Sequence, residues 1–254
     1  MLNAVIVFSK DRPMQLDCTL RSLKKNAPKP DYLSVIYKAS NEFYKKGYEK
    51  IDSNLIEESI FKQNVLDSLL GDYTLFLTDD DIVFKEISYV GFNEEVCCFS
   101  YRLGTNISYC YSNDRHNRLK NFYYGDKIKY INWDWKNEEL DFAYPLSVTS
   151  HLFKTEFIKK LTEKIHFNNP NEYEAALQQF VSMSPRMMMS YVDSRIVGVP
   201  VNKVNTSFEN RNGLVHSYST EELNNMFLAD QRIDFEKMDF NIISAQQELK
   251  YIFA

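Results

Sequence analysis

The sequence predicts an α/β protein, a single domain on a mixed, mainly parallel sheet with helices on both faces. Three observations carry that expectation. Short apolar runs alternate with amphipathic segments through residues 1–84. The first run, Ala4-Val5-Ile6-Val7-Phe8-Ser9, has no polar alternation and reads as a central parallel strand. The chain of 254 residues is long enough for one sizeable core, and no internal repeat or linker-like stretch divides it.

The elements follow in order. Lys10-Asp11-Arg12-Pro13 is a polar loop with Pro13 poised at a helix start. Met14 to Asn26 reads as a helix with Leu16, Leu20 and Leu23 on one face. Leu33 to Tyr37 is a second strand, and Glu42–Ile51 and Ser59–Leu70 are helices. Tyr73 to Leu77 is the strand that delivers Asp79-Asp80-Asp81, and Val96 to Tyr101 is a further strand. Residues 104–140 are polar and aromatic with weak periodicity, a length of irregular chain that carries function or its own hairpins. Ile128-Tyr130-Ile131 and Trp133-Asp134-Trp135 are read as one such hairpin. Ser147–Phe153 is expected as a strand, Thr155–Glu163 as a helix capped by Thr155, and Glu172–Met183 as a helix fed by the Asn168–Asn171 turn. Ile196–Val201 reads as a late strand and Glu221–Gln231 as a helix.

Composition narrows the function. The net charge of -5 and the lack of a long basic block argue against a nucleic-acid backbone as partner. The 17 tyrosines suit sugar and base stacking, but plain cores are the better reading for most of the 17 Tyr and 18 Phe. Cys18, Cys97, Cys98 and Cys110 form no C-x-x-C pair and read as reduced core residues. No secretory signal and no membrane-length apolar stretch is visible, so a bacterial-type cytoplasmic protein is expected, with peripheral association at the inner membrane face as an extension of that reading.

The chemistry concentrates in Leu75-Phe76-Leu77-Thr78-Asp79-Asp80-Asp81-Ile82-Val83-Phe84. Three carboxylates interrupt an apolar run, and buried carboxylates need a positive partner. A divalent metal carrying a phosphate substrate supplies one. Ser9–Arg12, Lys38–Asn41 and the aspartates all fall at strand carboxyl ends, where ligands gather in open α/β sheets.

This order of parts resembles the nucleotide-sugar glycosyltransferases of the GT-A fold, particularly the family 2-like bacterial enzymes. Val5–Pro13, Phe76–Asp81 and the acidic helix start Asn171-Glu172-Tyr173-Glu174 carry the resemblance. It covers roughly residues 1–205, with the triplet about 70 residues after the first strand. The resemblance implies that residues 1–100 bind the nucleotide-sugar and 101–254 the acceptor. It implies nucleotide contacts for Ser9, Asp11, Arg12, Ser40, Asn41, Asp79 and Asp80. Arg12 also reads as a helix-start surface charge, and Ser40 and Asn41 as helix caps. Asp81 is implied as the main metal ligand, with Asp79 beside it and His216 as a late ligand to Mn²⁺ or Mg²⁺; His216 reads equally as a surface-loop residue. Glu172, or Glu174, would be the catalytic base, although an acidic first helical turn is common in any helix. The family's usual Glu-Asp pair is absent, since Tyr173 follows Glu172. Lys62 and Gln63 could face the nucleotide, with a solvated helix face the stronger reading of Lys62. Trp133 and Trp135 are read as an acceptor-sugar platform or a core pair, with the polar flanks favouring the former, and His151 as a core residue.

The function implied is a metal-dependent, hexosyltransferase-type glycosyltransferase with a nucleotide diphosphate-sugar donor, a UDP-sugar first, and a hydroxyl acceptor on a glycan or lipid-linked glycan. The alternatives are a nucleotidyltransferase, disfavoured because no glycine follows the first strand, and a non-catalytic carbohydrate-binding protein, disfavoured by the intact aspartates. The missing G-x-G-x-x-G after the first strand argues against a Rossmann dehydrogenase.

Overall fold

The computed structural model of the chain describes residues 1–125, 129–204 and 211–254. Its first part alternates as expected: β1 (Asn3–Lys10), α1 (Pro13–Asn26), β2 (Tyr32–Lys38), α2 (Glu42–Glu49), β3 (Leu55–Glu57), α3 (Phe61–Ser68) and β4 (Tyr73–Thr78). Then come β5 (Asp81–Val83), β6 (Val96–Ser100), the hairpin β7 (Tyr109–Cys110) and β8 (Arg115–His116), β9 (Tyr123–Tyr124) and β10 (Tyr130–Asp134). The last part holds β11 (His151–Lys154), α4 (Thr155–Glu163), α5 (Pro170–Leu177), β12 (Met187–Tyr191), β13 (Ile196–Gly198) and α6 (Thr220–Leu228).

A nine-stranded sheet runs in the order β3-β2-β1-β4-β11-β6-β12-β10-β9. The pairings leave β11 and β10 alone running against the other strands, so the sheet is mixed and mainly parallel. Its middle is apolar on both faces: Val5, Ile6, Val7, Leu75, Phe76 and Leu77 are all fully buried. The chain moves outward from β1 to β2 and β3, then returns across β1 to β4. Right-handed crossovers therefore put α1 and α2 on one face and α3 on the other. Contacts agree, with α1, α2 and α6 packed together and α3 against α4. The direction of winding reverses between β1 and β4, and that switch point opens a crevice beyond their carboxyl ends.

Several expected elements differ in detail, each for a local reason. The helix expected over Glu172–Met183 is α5 followed by a 3-10 segment, Gln178–Met183, and it begins earlier, at Pro170. Thr155 does not cap α4; it is the first helical residue, and its hydroxyl bonds Thr74 Oγ1 at 2.9 Å. The Ser147–Phe153 strand shortens to β11 because Ser150 takes a left-handed φ of 57°. The short edge strand β3 was not anticipated, since three residues show no periodicity. Trp133 and Trp135 do not share one side of a hairpin: β10 is an inner strand paired with both β9 and β12, Trp135 lies beyond its end, and Ile128 falls outside the described residues. All four cysteines are free and buried. Among the described residues no helix is long and apolar enough to cross a membrane.

Candidate active site

A cleft of about 1000 Å³ lies at the switch point. One wall comes from the ends of β1, β2 and β4, with Ser9, Lys10, Arg12, Lys38, Asp79 and Asp80. The opposite wall comes from irregular chain and the start of α5, including Arg102, Asp141, Tyr144, Ser147 and Glu174.

Parallel register builds the first wall. Phe8 lies opposite Thr78, so the two strands end together and Ser9–Arg12 emerge beside Asp79 and Asp80. Asp79 N then donates to Phe8 O at 3.0 Å, extending the ladder one step beyond β4. The Asp79 carboxylate accepts from Ser9 Oγ (2.9 Å), Lys10 N (3.1 Å) and Arg12 Nη1 (3.0 Å). Asp80 accepts from Thr78 Oγ1 through Oδ1 (2.8 Å) and from Arg12 Nη1 through Oδ2 (3.3 Å). Arg12 Nη2 donates to Asn202 O, and the Tyr48 hydroxyl accepts from Arg12 N and bonds Ser9 Oγ. Burial opposes the charge of Arg12, yet Asp79 and Asp80 hold its pKa above the usual arginine value. Burial pushes Asp79 up to about 6 against the pull of Arg12.

Asp81 sits elsewhere. The chain turns after Thr78, and Asp81 opens β5, which leaves the main sheet to pair with β13, Asp81 opposite Gly198. Asp81 is wholly buried and does not line the cleft. Its Oδ2 accepts from Thr78 N at 2.9 Å, while Oδ1 faces the Ser150 hydroxyl without a well-formed hydrogen bond. Burial, then the neighbouring Asp80, raises its pKa to about 7. The expectation that put Asp81 first among metal ligands assumed a strand end; the chain instead folds this carboxylate underneath.

The second wall places the two glutamates differently. Glu172 belongs to the cap of α5: Asn169 Oδ1 accepts from Glu172 N (3.0 Å), and the Glu172 carboxylate accepts from Asn168 N (2.8 Å) and Asn169 Nδ2 (2.8 Å). It does not line the cleft. Glu174 does, a little over half a turn further along the helix. Its Oε2 accepts from Val148 N (2.7 Å) and Ser147 Oγ (3.0 Å), and among the described residues its Oε1 accepts only from the Tyr144 hydroxyl, at 3.2 Å. Arg102 bonds Asp141 at 2.9 Å beside them.

The other expected site residues are placed as follows. Asp11, at a left-handed φ of 53°, is buried and accepts from Ser40 N at 2.7 Å and from Ser40 Oγ, lashing the loop after β1 to the loop after β2. Asn41 caps α2 by accepting from Tyr44 N. None of these three lines the cleft. Nor does His216, whose backbone N–H donates to Glu248 together with those of Leu214 and Val215. Lys62 donates to Glu163 O and Ile165 O, and Gln63 to Asp67, so neither faces a nucleotide. The reading of Trp133 and Trp135 as an acceptor platform is corrected: Trp133 is wholly buried and donates to Phe142 O, Trp135 is buried and donates to Pro185 O. Both are core residues, and polar neighbours in sequence were no guide because β10 is an inner strand. Asp134 accepts from Arg186 and caps the 3-10 turn after β10. His151 is a core residue, and burial holds it well below the usual histidine pKa. Sequence reasoning missed Arg102 and Tyr144, which lie in irregular chain, Ser147, read only as part of a strand, and Tyr48, read only as part of a helix.

The donor set does not fit a divalent metal. Asp79 already accepts from three donors, one of them the Arg12 guanidinium that it shares with Asp80, and Asp81 is enclosed. Among the described residues no group of three or more His, Cys, Asp or Glu side chains is arranged to hold a metal ion.

No protein-family model matches the chain, and no curated protein matches it. Among solved structures it is similar to Staphylococcus aureus TarS. The structure of TarS residues 1–349 with UDP has a TM-score of 0.47 at 16% identity, over 77% of this chain and 59% of that one. The same fragment with UDP-GlcNAc gives 0.47 at 16% identity over 86% and 62%, and the longer TarS structure gives 0.44 at 18% identity over 77% and 36%. The chain thus spans about three fifths of the length of the TarS fragment. At this level of similarity no function transfers from TarS to this chain.

Proposed function

We propose that the protein is a glycosyltransferase that takes a sugar from a nucleotide diphosphate-sugar, a UDP-sugar first, to a hydroxyl of a glycan or lipid-linked acceptor. The observation that carries this reading is the pairing of walls across one cleft of about 1000 Å³: a cationic group on an aspartate-rich strand end faces a glutamate whose outer oxygen has a single weak donor. The volume is that of a large small-molecule site and holds a nucleotide-sugar together with part of an acceptor. Residues 1–100 form the donor half in this reading, with Ser9, Arg12, Asp79 and Asp80 at the nucleotide. Residues 101–254 form the acceptor half.

Glu174 is the general base. Val148 N and Ser147 Oγ fix Oε2, which leaves Oε1 with lone-pair capacity toward the cleft. The acceptor O–H approaches Oε1 and passes its proton there as its oxygen bonds the anomeric carbon. The bond from that carbon to the β-phosphate oxygen breaks, and its electron pair leaves with the diphosphate. A base on the face opposite the leaving group inverts the anomeric configuration.

The test is binding of UDP, GDP and CDP by calorimetry, followed by hydrolysis of the sugar donors of whichever base binds. The reading expects one nucleoside diphosphate to bind at micromolar concentrations; no binding of any of the three rules it out.

A further inference from the structure

The position a metal would occupy is held by a side chain. Arg12 Nη1 lies 3.0 Å from Asp79 Oδ1 and 3.3 Å from Asp80 Oδ2, so one guanidinium nitrogen bridges both carboxylates. Those are the two carboxylates that would have to supply an ion's ligands on this wall. Arginine stays charged at every pH the protein meets. Arg12 is also anchored from behind, through Nη2 to Asn202 O and through its backbone N–H to Tyr48. Moving it aside for an ion would leave two nearly buried carboxylates to be reorganised and a buried guanidinium without its counter-charge.

Three more cations stand on this wall, of which Lys38 is paired with Glu58 at 2.8 Å. Lys10 Nζ donates to Val204 O at 3.2 Å, and Lys203 is exposed; neither meets a carboxylate among the described residues. Four cations therefore face three carboxylates, and the surplus is positive. Asp79 and Asp80 then serve to hold Arg12 rigid, and a fixed cation stabilises developing negative charge without reorganising.

We infer that Arg12, with Lys10 and Lys203, neutralises the diphosphate of the donor in place of a divalent cation, so that the nucleotide binds without metal. The inference rests on the nucleotide-sugar reading above. It involves no covalent change in the protein: as the glycosidic bond to the diphosphate breaks, the charge left on the phosphate oxygens is met by these side chains.

Calorimetric titration of UDP in EDTA and in excess Mn²⁺ tests it, beside a paramagnetic-resonance titration of Mn²⁺ into the protein alone. The wild type should bind UDP with affinities in the two buffers that agree within about threefold, and should leave the free Mn²⁺ signal undiminished. Arg12→Gln should weaken UDP in EDTA by roughly tenfold or more, the loss of one charge-assisted contact. It should also begin to bind Mn²⁺ through the freed aspartates. Should that variant fail to fold, Lys203→Ala, at an exposed position, should lose roughly threefold in EDTA; unchanged affinity there contradicts the inference. UDP binding by the wild type that appears only with Mn²⁺ overturns the inference and leaves the glycosyltransferase reading standing. Absence of UDP, GDP and CDP binding in both buffers overturns that reading and the inference with it.

Discussion

Arg12 and Asp79 form an ion pair at 3.0 Å with both side chains more than nine-tenths buried. They come from the ends of two neighbouring parallel strands, so the pair ties β1 to β4 at the mouth of the cleft. Removing one member leaves the other charge in a poorly solvated place. Asp79→Asn should therefore cost about 2–3 kcal/mol in urea denaturation, less than the full penalty for a broken buried pair because Asp80 still faces Arg12. The double change Arg12→Met with Asp79→Leu should cost less than Asp79→Asn alone. A loss below about 0.5 kcal/mol for Asp79→Asn, the range of an exposed pair, would show that the pair does not hold the strand ends together.

Asp81 and His151 give the stability opposing pH dependences. Asp81 has a folded pKa near 7, above its unfolded value near 4, so the folded state holds the extra proton between them. Its contribution is fully present below about pH 4 and is lost as pH rises through 7. Asp81→Asn should match the wild type near pH 4 and exceed it by on the order of 2–4 kcal/mol at pH 8. His151 is depressed, so its buried neutral ring costs nothing above about pH 6.5 and progressively destabilises the fold as pH falls below that. His151→Gln should flatten that acid-side loss. Each slope is read as the difference between variant and wild-type denaturation curves, because the two overlap between about pH 4 and 6.5. An Asp81→Asn difference curve that stays flat from pH 4 to 8 would mean that Asp81 is ionised throughout.

Trp133→Ala should unfold the protein or destabilise it by about 3–5 kcal/mol, the range for emptying a large aromatic site, since Trp133 is wholly buried and its indole N–H bonds Phe142 O. Thermal denaturation measures this. A folded Trp133→Ala of near wild-type stability with a weakened acceptor would restore the platform reading.

The first wall of the cleft was legible in the sequence because it lies on regular elements. Apolar runs located β1, β2 and β4, Pro13 marked the start of α1, and strand polarity then forced Ser9–Arg12 and Asp79–Asp80 to one edge. The opposite wall was not legible. Arg102, Tyr144 and Ser147 sit in irregular chain, and their meeting with Glu174 depends on tertiary packing that no local period encodes. The choice between Glu172 and Glu174 was nevertheless available, since Asn169 and Glu172 have the three-residue spacing of a capping pair. That spacing assigns Glu172 to the helix cap and leaves Glu174 as the glutamate at the cleft. Asp81 misled because Asp79 and Asp81 share a face only if the strand continues straight, and β5 turns away to pair with β13.

The most direct measurement is sugar transfer, or donor hydrolysis, by Glu174→Gln beside Glu172→Gln. The account predicts that Glu174→Gln binds the nucleotide as the wild type does and slows transfer by roughly a hundredfold or more, through loss of the proton acceptor. Glu172→Gln should lose about 1 kcal/mol of stability from a weakened helix cap and transfer sugar at the wild-type rate. Wild-type turnover by Glu174→Gln, or loss of transfer in Glu172→Gln alone, would contradict the assignment of the base and with it the pairing of the two cleft walls.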